Sequence, residues 1–224
     1  MRFSIDGNEF LEALRPALDQ GDLGDLACAV LARWRPRQLC GLLRHEAVDV
    51  RRVAAVAISA TGEAAMIPSL ARALRDPDAQ VHAMAEYAMW SIWLRTGTTP
   101  ALHRMNRGIA MISADRHEEA VDLLTDAVRL DTDCTEAVNQ RAIARYLLGA
   151  WDASLEDCRV VVKEVPWHFA AHAGMGHCRL QMGQMIAALR CYRRALHINP
   201  RLEGVAAAIQ RCDAMGMPAE NAST

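Results

Sequence analysis

The middle and end of this chain repeat one pattern of small residues and turn residues every 34 positions, which constrains the fold more than any single residue does. Four sets of three residues have this 34-residue spacing: Gly108, Ala142, Gly176; Ala120, Ser154, Ala188; Ala127, Val161, Ala195; and Thr132, Pro166, Pro200. Small residues at a constant phase allow two helices to cross closely, and a proline ends one helix pair and starts the next. The period therefore predicts an α-solenoid of helix-turn-helix repeats, in which about three units must stack to bury an apolar face.

The composition is that of a folded helical chain without a strong electrostatic preference. The 224 residues are 52% hydrophobic, and the net charge of −2 gives no general attraction to nucleic acid or anionic membranes. The first ten residues have neither the basic region nor the apolar core of a signal peptide, and no apolar run approaches the roughly 20 residues of a membrane helix. No two of the seven cysteines have the two-residue gap of a zinc or redox pair. We therefore expect an all-α, cytoplasmic protein with reduced thiols.

Three consecutive segments, 101–134, 135–168 and 169–202, resemble tetratricopeptide repeats. The resemblance rests on the small eighth, twentieth and twenty-seventh residues of each unit and on the turn proline, which Thr132 replaces in the first unit. Gly149 and Gly183 are predicted to end first helices in the left-handed conformation, and Asp115 takes that position in the first unit. The segment GVAAAIQRCDAM predicts a capping helix. Residues 98–217 are thus assigned to the three units and this helix, and 218–224 to a disordered tail.

A second period, of 31 residues, relates LCGLLRHEAVDVRRVAAVAI (39–58) to LARALRDPDAQVHAMAEYAM (70–89). The alignment pairs Leu43 with Leu74, Val50 with Val81, Ala54 with Ala85, and Ala57 with Ala88. This pattern resembles the short HEAT-like repeats of phycobilin lyases and many bacterial scaffold proteins, over about two helix pairs. The preceding stretch 10–34 predicts an atypical helical cap. Residues 1–97 are therefore assigned to the cap and the HEAT-like repeats.

Catalytic and metal-binding patterns are weak in this sequence. Some HEAT-like repeats form the di-iron enzyme deoxyhypusine hydroxylase through His-Glu pairs at helix starts, but His45 and Glu46 precede the helix in which such a pair belongs. His168, His172 and His177 are close in sequence, yet their predicted directions do not converge on one metal ion. We expect no catalytic residue, no metal ion and no cofactor.

In tetratricopeptide arrays the first helix of each unit presents set positions to a concave groove. Transferring that phase to this chain predicts a neutral, part amide and part apolar groove wall of Met105, Asn106, Ile109, Asn139, Gln140, Ile143, Tyr146, His177 and Leu180. The carboxylate clamp that some relatives use for acidic chaperone tails needs Lys and Arg, but Met105, Ala170 and Gly174 occupy those positions. We instead expect Asn106 and Asn139 to grip an extended peptide backbone while Ile109, Ile143 and Leu180 receive its side chains.

The resemblance implies a non-catalytic scaffold that binds an extended peptide or a helix of a partner protein. One alternative is binding of a nucleic-acid backbone by the arginines of the HEAT-like half, Arg44, Arg51, Arg52, Arg72 and Arg75. Nucleic acid is the less favoured partner, because Asp49, Asp76 and Asp78 can neutralise this face and the arginines can link the repeats instead. The other alternative is a lyase-associated or enzyme-associated HEAT-repeat subunit. No membrane partner is expected.

Overall fold

Residues 5–214, which the computed structural model describes, form thirteen α-helices and one short 3-10 helix, with no β-strand among them. The predicted all-α architecture is confirmed over this range. None of these helices combines the length and the apolar character needed to cross a membrane. The chain divides after Arg95 into two compact units, which are described separately below. The tail predicted at 218–224 lies outside the described residues.

The first unit contains six α-helices and the 3-10 helix. Its N-terminal cap is a pair of helices, whose starts are stabilised because the carboxylates of Asp6 and Asp22 accept hydrogen bonds from backbone N–H groups of the first turns. The stretch predicted as a helical cap is therefore helical. The bounds are α1 Gly7–Gln20, α2 Leu23–Leu31, α3 Pro36–Leu42, α4 Val48–Thr61, the 3-10 helix Ala64–Met66, α5 Ile67–Ala73 and α6 Ala79–Arg95.

The 31-residue period corresponds to two successive helix pairs, α3 with α4 and α5 with α6. All eight apolar residues that the sequence alignment matched are buried. Their burial explains the period, because residues at the same phase of two stacked helix pairs face the same core.

Paired arginines and aspartates link these two helix pairs within the first unit. The guanidinium of Arg51 donates to both carboxylate oxygens of Asp76, at 2.8 and 3.1 Å, and that of Arg52 donates to Asp78 at 2.6 and 3.0 Å. Arg52 also donates to Asp49 at 3.1 Å. The hydrogen bonds from Arg52 and from the backbone N–H of Val81 hold the pKa of Asp78 well below its usual range. Two arginines of the predicted basic stripe are therefore neutralised by aspartates.

The described part of the second unit, residues 96–214, contains seven helices in three antiparallel pairs plus a last single helix. The left-handed residues predicted between the members of each pair are confirmed, with φ of 59° at Asp115, 75° at Gly149 and 72° at Gly183. The predicted capping helix is also present. The bounds are α7 Thr99–Ser113, α8 His117–Leu130, α9 Thr135–Leu147, α10 Trp151–Glu164, α11 Phe169–Gln181, α12 Met185–Ile198 and α13 Glu203–Ala214.

Two of the periodic small residues are glycines at which the paired helices come very close. A Cβ atom at Gly108 would lie 2.6 Å from Leu124 Cγ, and one at Gly176 would lie 2.4 Å from the ring of Tyr192. Leu124 and Tyr192 are fully buried. The glycines are therefore needed for the close approach of α7 to α8 and of α11 to α12, since a methyl group has no room there.

The burial of the cysteines predicts the order in which they react with iodoacetamide. Cys28 is exposed and should be alkylated first, followed by the half-buried Cys40 and Cys191. Burial raises the pKa of the Cys158 thiol to about 12, and the thiolate is the reactive form. Peptide mass spectrometry of the native protein should find full protection of the four buried thiols, Cys134, Cys158, Cys178 and Cys212. Labelling of one of these four as fast as Cys28 would contradict this packing, and the unfolded protein, in which all seven react, is the control.

Candidate functional site

The first helices of the three repeat pairs, α7, α9 and α11, pack side by side in sequence order and form the wall on which the predicted groove residues stand. These nine residues do not share one environment. Two are buried, Met105 and Asn139. Asn106 and Ile143 are exposed. The half-buried ones are Ile109, Gln140, Tyr146, His177 and Leu180.

Met105 belongs to the apolar core of the first repeat pair and not to its accessible wall. Its side chain has no exposed surface and packs in a cluster with Ala101, Leu124 and Cys134. The Cys134 thiol lies 3.9 Å from the Met105 sulfur. The phase of the repeat predicted an outward direction here, but a thioether beside a buried thiol and a leucine is more stable in the core than in water.

A buried carboxylate, Glu136, gathers the two amides that the sequence analysis assigned to peptide binding. Its Oε1 accepts hydrogen bonds from Asn139 Nδ2 at 2.9 Å and from Gln140 Nε2 at 2.6 Å. Its Oε2 lies 3.0 Å from His168 Nε2, and the side chains of Glu136 and His168 are 0% and 1% exposed. The carboxylate is thereby satisfied by three donors, as a buried charge must be.

The tautomer of His168 follows from its two contacts. The backbone N–H of Ala171 donates to His168 Nδ1 at 3.1 Å, so this nitrogen carries no proton. Nε2 therefore carries the proton, and this N–H group donates a hydrogen bond to Glu136 Oε2. His168 in this way both caps α11 and ties it to α9, across 32 residues of sequence.

We call Glu136 and its three partners, Asn139, Gln140 and His168, the Glu136 cluster, and its contacts overturn the predicted peptide grip by Asn139. This side chain is 2% exposed and its NH₂ group is committed to Glu136, because a buried carboxylate is a stronger acceptor than a peptide carbonyl in water. Gln140 keeps its amide oxygen for other contacts. Glu136 was not predicted as a positioning residue. It precedes Asn139 and Gln140 by three and four positions, and this spacing places all three residues on one face of α9.

A second buried carboxylate holds α9 to α10. Asp157 accepts a two-pronged hydrogen bond from Arg141, at 2.8 and 3.0 Å, and another from Arg145 at 2.7 Å. Arg141 also donates to Thr125 on α8 at 3.3 Å. Both arginines of α9 are therefore occupied by contacts inside the array, and the accessible face of α9 is left to its uncharged residues.

That accessible face of α9 is mainly apolar. Ile143 and Leu147 are 38% and 48% exposed, and they stand four positions apart, which places them one above the other on the helix surface. Tyr146 lies half-buried between them in sequence. We call these three residues the α9 face. Leu147 was not among the predicted site residues, although it directly follows Tyr146 and stands four positions after Ile143.

Beside the α9 face, α11 and α12 contribute a ring cluster. The imidazole of His177 lies between Tyr146 and Tyr192, with ring centroids 6.1 and 5.2 Å away. Burial lowers the pKa of His177, and Arg211 lowers it further by repulsion, so the ring is neutral near pH 7. Its Nδ1 lies 2.8 Å from the Tyr192 hydroxyl, whose pKa is raised by burial and which therefore keeps its proton to donate. Gln181 donates to the Tyr146 hydroxyl at 3.2 Å.

Ile109 and Leu180 are only partly accessible because each packs against the core of its own repeat pair. Ile143 has the same phase as Ile109 but is more exposed. Ile109, Ile143 and Leu180 were all predicted to receive side chains of a ligand, but they differ in accessibility. Ile143, in the middle unit, is the most exposed of the three.

The three histidines considered as metal ligands have three separate partners. His168 binds Glu136, His172 Nε2 lies 3.2 Å from the Pro166 carbonyl oxygen, and His177 contacts Tyr192. Within residues 5–214, no group of three or more His, Cys, Asp or Glu side chains is arranged to hold a metal ion.

Comparison with known proteins places this architecture among repeat proteins. No family model matches the chain. The chain is similar to a TPR repeat-containing protein of Rhizobium etli, with 29% identity over 126 residues. The alignment covers 56% of this chain and 61% of the relative, so the chain spans less than two thirds of that protein's length.

Two solved structures have the same fold at low sequence identity. The first TPR of Spaghetti (RPAP3), bound to the HSP90 peptide SRMEEVD, is 20% identical with a TM-score of 0.50, and the match covers 52% of this chain and 94% of that one. The first TPR domain of human RPAP3 is also 20% identical with a TM-score of 0.50, over 51% of this chain and 91% of that one. The fold that the resemblance to tetratricopeptide repeats implied is thereby confirmed over about half of the chain.

Proposed function

We propose that this chain is a non-catalytic interaction scaffold whose tetratricopeptide groove binds a segment of a partner protein, either extended or helical. The α9 face carries this proposal, because Ile143 and Leu147 expose apolar surface on a helix whose charged side chains are turned to internal partners. The structure of the first TPR of Spaghetti bound to an HSP90 peptide supports the idea that a domain of this fold can bind a peptide.

The partner segment is expected to use apolar anchors and not an acidic tail. In the positions of the carboxylate clamp, Met105 is buried and uncharged, and Ala170 and Gly174 offer no side-chain donor. The Gln140 NH₂ group is already bound to Glu136. An apolar side chain inserted against Ile143 and Leu147 would bury surface on both molecules, at about 25 cal/mol for each Å² removed from water.

The two halves of the chain are proposed to present separate surfaces in a cytoplasmic protein. We assign residues 98–217 to the tetratricopeptide array and its capping helix, and residues 1–97 to a HEAT-like array with its N-terminal cap. The repeated burial of matched residues in α3 to α6 supports the second assignment. A scaffold of this kind brings together partners that bind different halves.

The groove proposal is tested by selecting peptides from a random displayed library against the full chain and measuring their affinities by fluorescence polarisation. We expect selected peptides to contain large apolar residues. The double variant Ile143→Glu, Leu147→Glu should weaken their binding about 100-fold or more, because two carboxylates would be desolvated at the contact.

Val160→Glu is the matched control, since Val160 is 42% exposed but stands on α10. It should leave the affinity unchanged. Equal binding by wild type and the double variant, with equal helicity in both, would place the peptide site elsewhere. An absence of any selected peptide would count against a peptide-binding groove altogether.

A further inference from the structure

The first unit contains a cleft of about 440 Å³ at the ends of its two equivalent first helices. Its walls come from the end of α3 and the following turn, from α4, and from α5 and its following turn. This volume is in the range of small-molecule sites, which is about 300–1,000 Å³. The cleft belongs entirely to the first unit and has no part in the groove proposed above.

Arginine dominates the charge of this cleft. Four of its eleven lining residues are arginines, Arg44, Arg51, Arg72 and Arg75, and the single carboxylate is that of Asp76. The whole chain has a net charge of −2, so this concentration of positive charge is local. Each of the helix ends at α3 and α5 contributes at most about half of a negative charge. Arg51 and Asp76 neutralise each other, so Arg44 and Arg72 leave an excess of about one to two positive charges, which is close to the charge of a phosphate monoester at neutral pH.

Three of these arginines, Arg44, Arg51 and Arg72, have different roles in the cleft. Arg51 uses its donors internally, on both Asp76 oxygens and on the backbone carbonyls of His45 and Glu46 at 3.0 Å. It thereby neutralises Asp76 and links the turn after α3 to the turn after α5. Arg44 and Arg72 are exposed at the cleft. Arg72 uses one N–H on the Pro68 carbonyl oxygen, at 3.2 Å, which leaves the rest of its guanidinium fork for a ligand.

The remaining walls suit the organic part of a small molecule. Leu43, Ala73 and Pro77 provide apolar surface, and Cys40 and Ser69 provide small polar groups. A continuous nucleic-acid backbone would need a longer row of available arginines. The row is interrupted here because Arg51 and Arg52 are paired with Asp76 and Asp78.

We propose that this cleft binds a phosphorylated small molecule, with Arg44 and Arg72 holding the phosphate group. Guanidinium groups match the oxygen geometry of phosphate through paired hydrogen bonds. Binding would also relieve the mutual repulsion of the arginines, so the free cleft should be a less stable arrangement than the occupied one.

The test is isothermal titration calorimetry of the full chain with inorganic phosphate and with pyrophosphate, in a phosphate-free buffer at low salt. Wild type should bind both probes, and pyrophosphate more tightly. The double variant Arg44→Gln, Arg72→Gln should lose about 100-fold in affinity, or about tenfold for each charge-assisted contact. Arg129→Gln removes one positive charge from an exposed position on α8, outside the cleft, and should bind like wild type.

Four results would overturn the proposal. The first is no binding of either probe at millimolar concentration, and the second is unchanged binding by the double variant with wild-type helicity. The third is binding of a single-stranded oligonucleotide or a phosphoserine peptide without binding of pyrophosphate, because this would assign the arginines to a macromolecule. The fourth is an equal loss of affinity in Arg129→Gln, because this would show a general effect of charge and not binding in the cleft.

Discussion

Replacing Glu136 with alanine is expected to lower the free energy of unfolding of the tetratricopeptide unit by about 2–6 kcal/mol, at about 1–3 kcal/mol for each buried donor left without its acceptor. The substitution removes the only shared acceptor of three donors, His168 Nε2, Asn139 Nδ2 and Gln140 Nε2. Two of these donors are buried in the array and would lose their partner without access to water. The measurement is the shift of the urea unfolding curve, followed by helical circular dichroism.

Two further variants separate the buried cluster from a general effect of removing a glutamate. Glu119→Ala removes a carboxylate from an exposed pair with Arg116 and should cost less than about 1 kcal/mol. Glu136→Gln keeps one acceptor oxygen and should fall between wild type and Glu136→Ala. If Glu136→Ala were as stable as Glu119→Ala, the Glu136 cluster would not hold α9 and α11 together.

Replacing Gly176 with alanine is the second large effect, with an expected loss of about 1–3 kcal/mol from overpacking. The added methyl group would lie 2.4 Å from the ring of Tyr192, a distance at which something must move. Tyr192 has little freedom to do so, because it is fully buried and its hydroxyl is bound to His177. Gly204→Ala is the control in α13, where nothing lies within 4 Å, and it should be neutral or slightly stabilising.

The steric cause of the Gly176 effect can be isolated by a double-mutant cycle with Tyr192→Cys. The second repeat has Ala142 and Cys158 at the two corresponding positions, so the pair alanine with cysteine already occurs in this array. Gly176→Ala should therefore cost less in the Tyr192→Cys background than in wild type, and the difference measures the clash. Strictly additive losses in the free energy of unfolding, measured by heat or urea, would contradict a clash between the added methyl group and Tyr192.

The α9 face and the Glu136 cluster together show what the phase of the repeat could and could not predict about the proposed groove. The phase assigned the nine predicted residues to α7, α9 and α11, and it included Ile143 and Tyr146 of the α9 face. It did not separate the exposed Ile143 from the half-buried Ile109, or Asn139 from the exposed Asn106. Phase sets the direction in which a residue leaves its helix, whereas accessibility depends on the neighbouring side chains that cover it.

The sequence by itself determined the features that depend on neighbours a few residues apart or on strict repetition. The three helix pairs, the capping helix and the left-handed positions at Asp115, Gly149 and Gly183 all follow from local backbone chemistry and from small residues at a constant phase. The matched burial in α3 to α6 follows from repetition in the same way.

Only the tertiary structure decided which polar groups are available to a ligand. His168 meets Glu136 across 32 residues, and Arg51 meets Asp76 across 25, so no local pattern identifies these pairs. The two carboxylates also occupy donors that the sequence left open, because Glu136 accepts from the amide of Asn139 and Asp76 accepts from Arg51 of the basic stripe. Buried or half-buried polar groups must find partners where the fold brings them together, and that requirement is settled by three-dimensional packing rather than by sequence order.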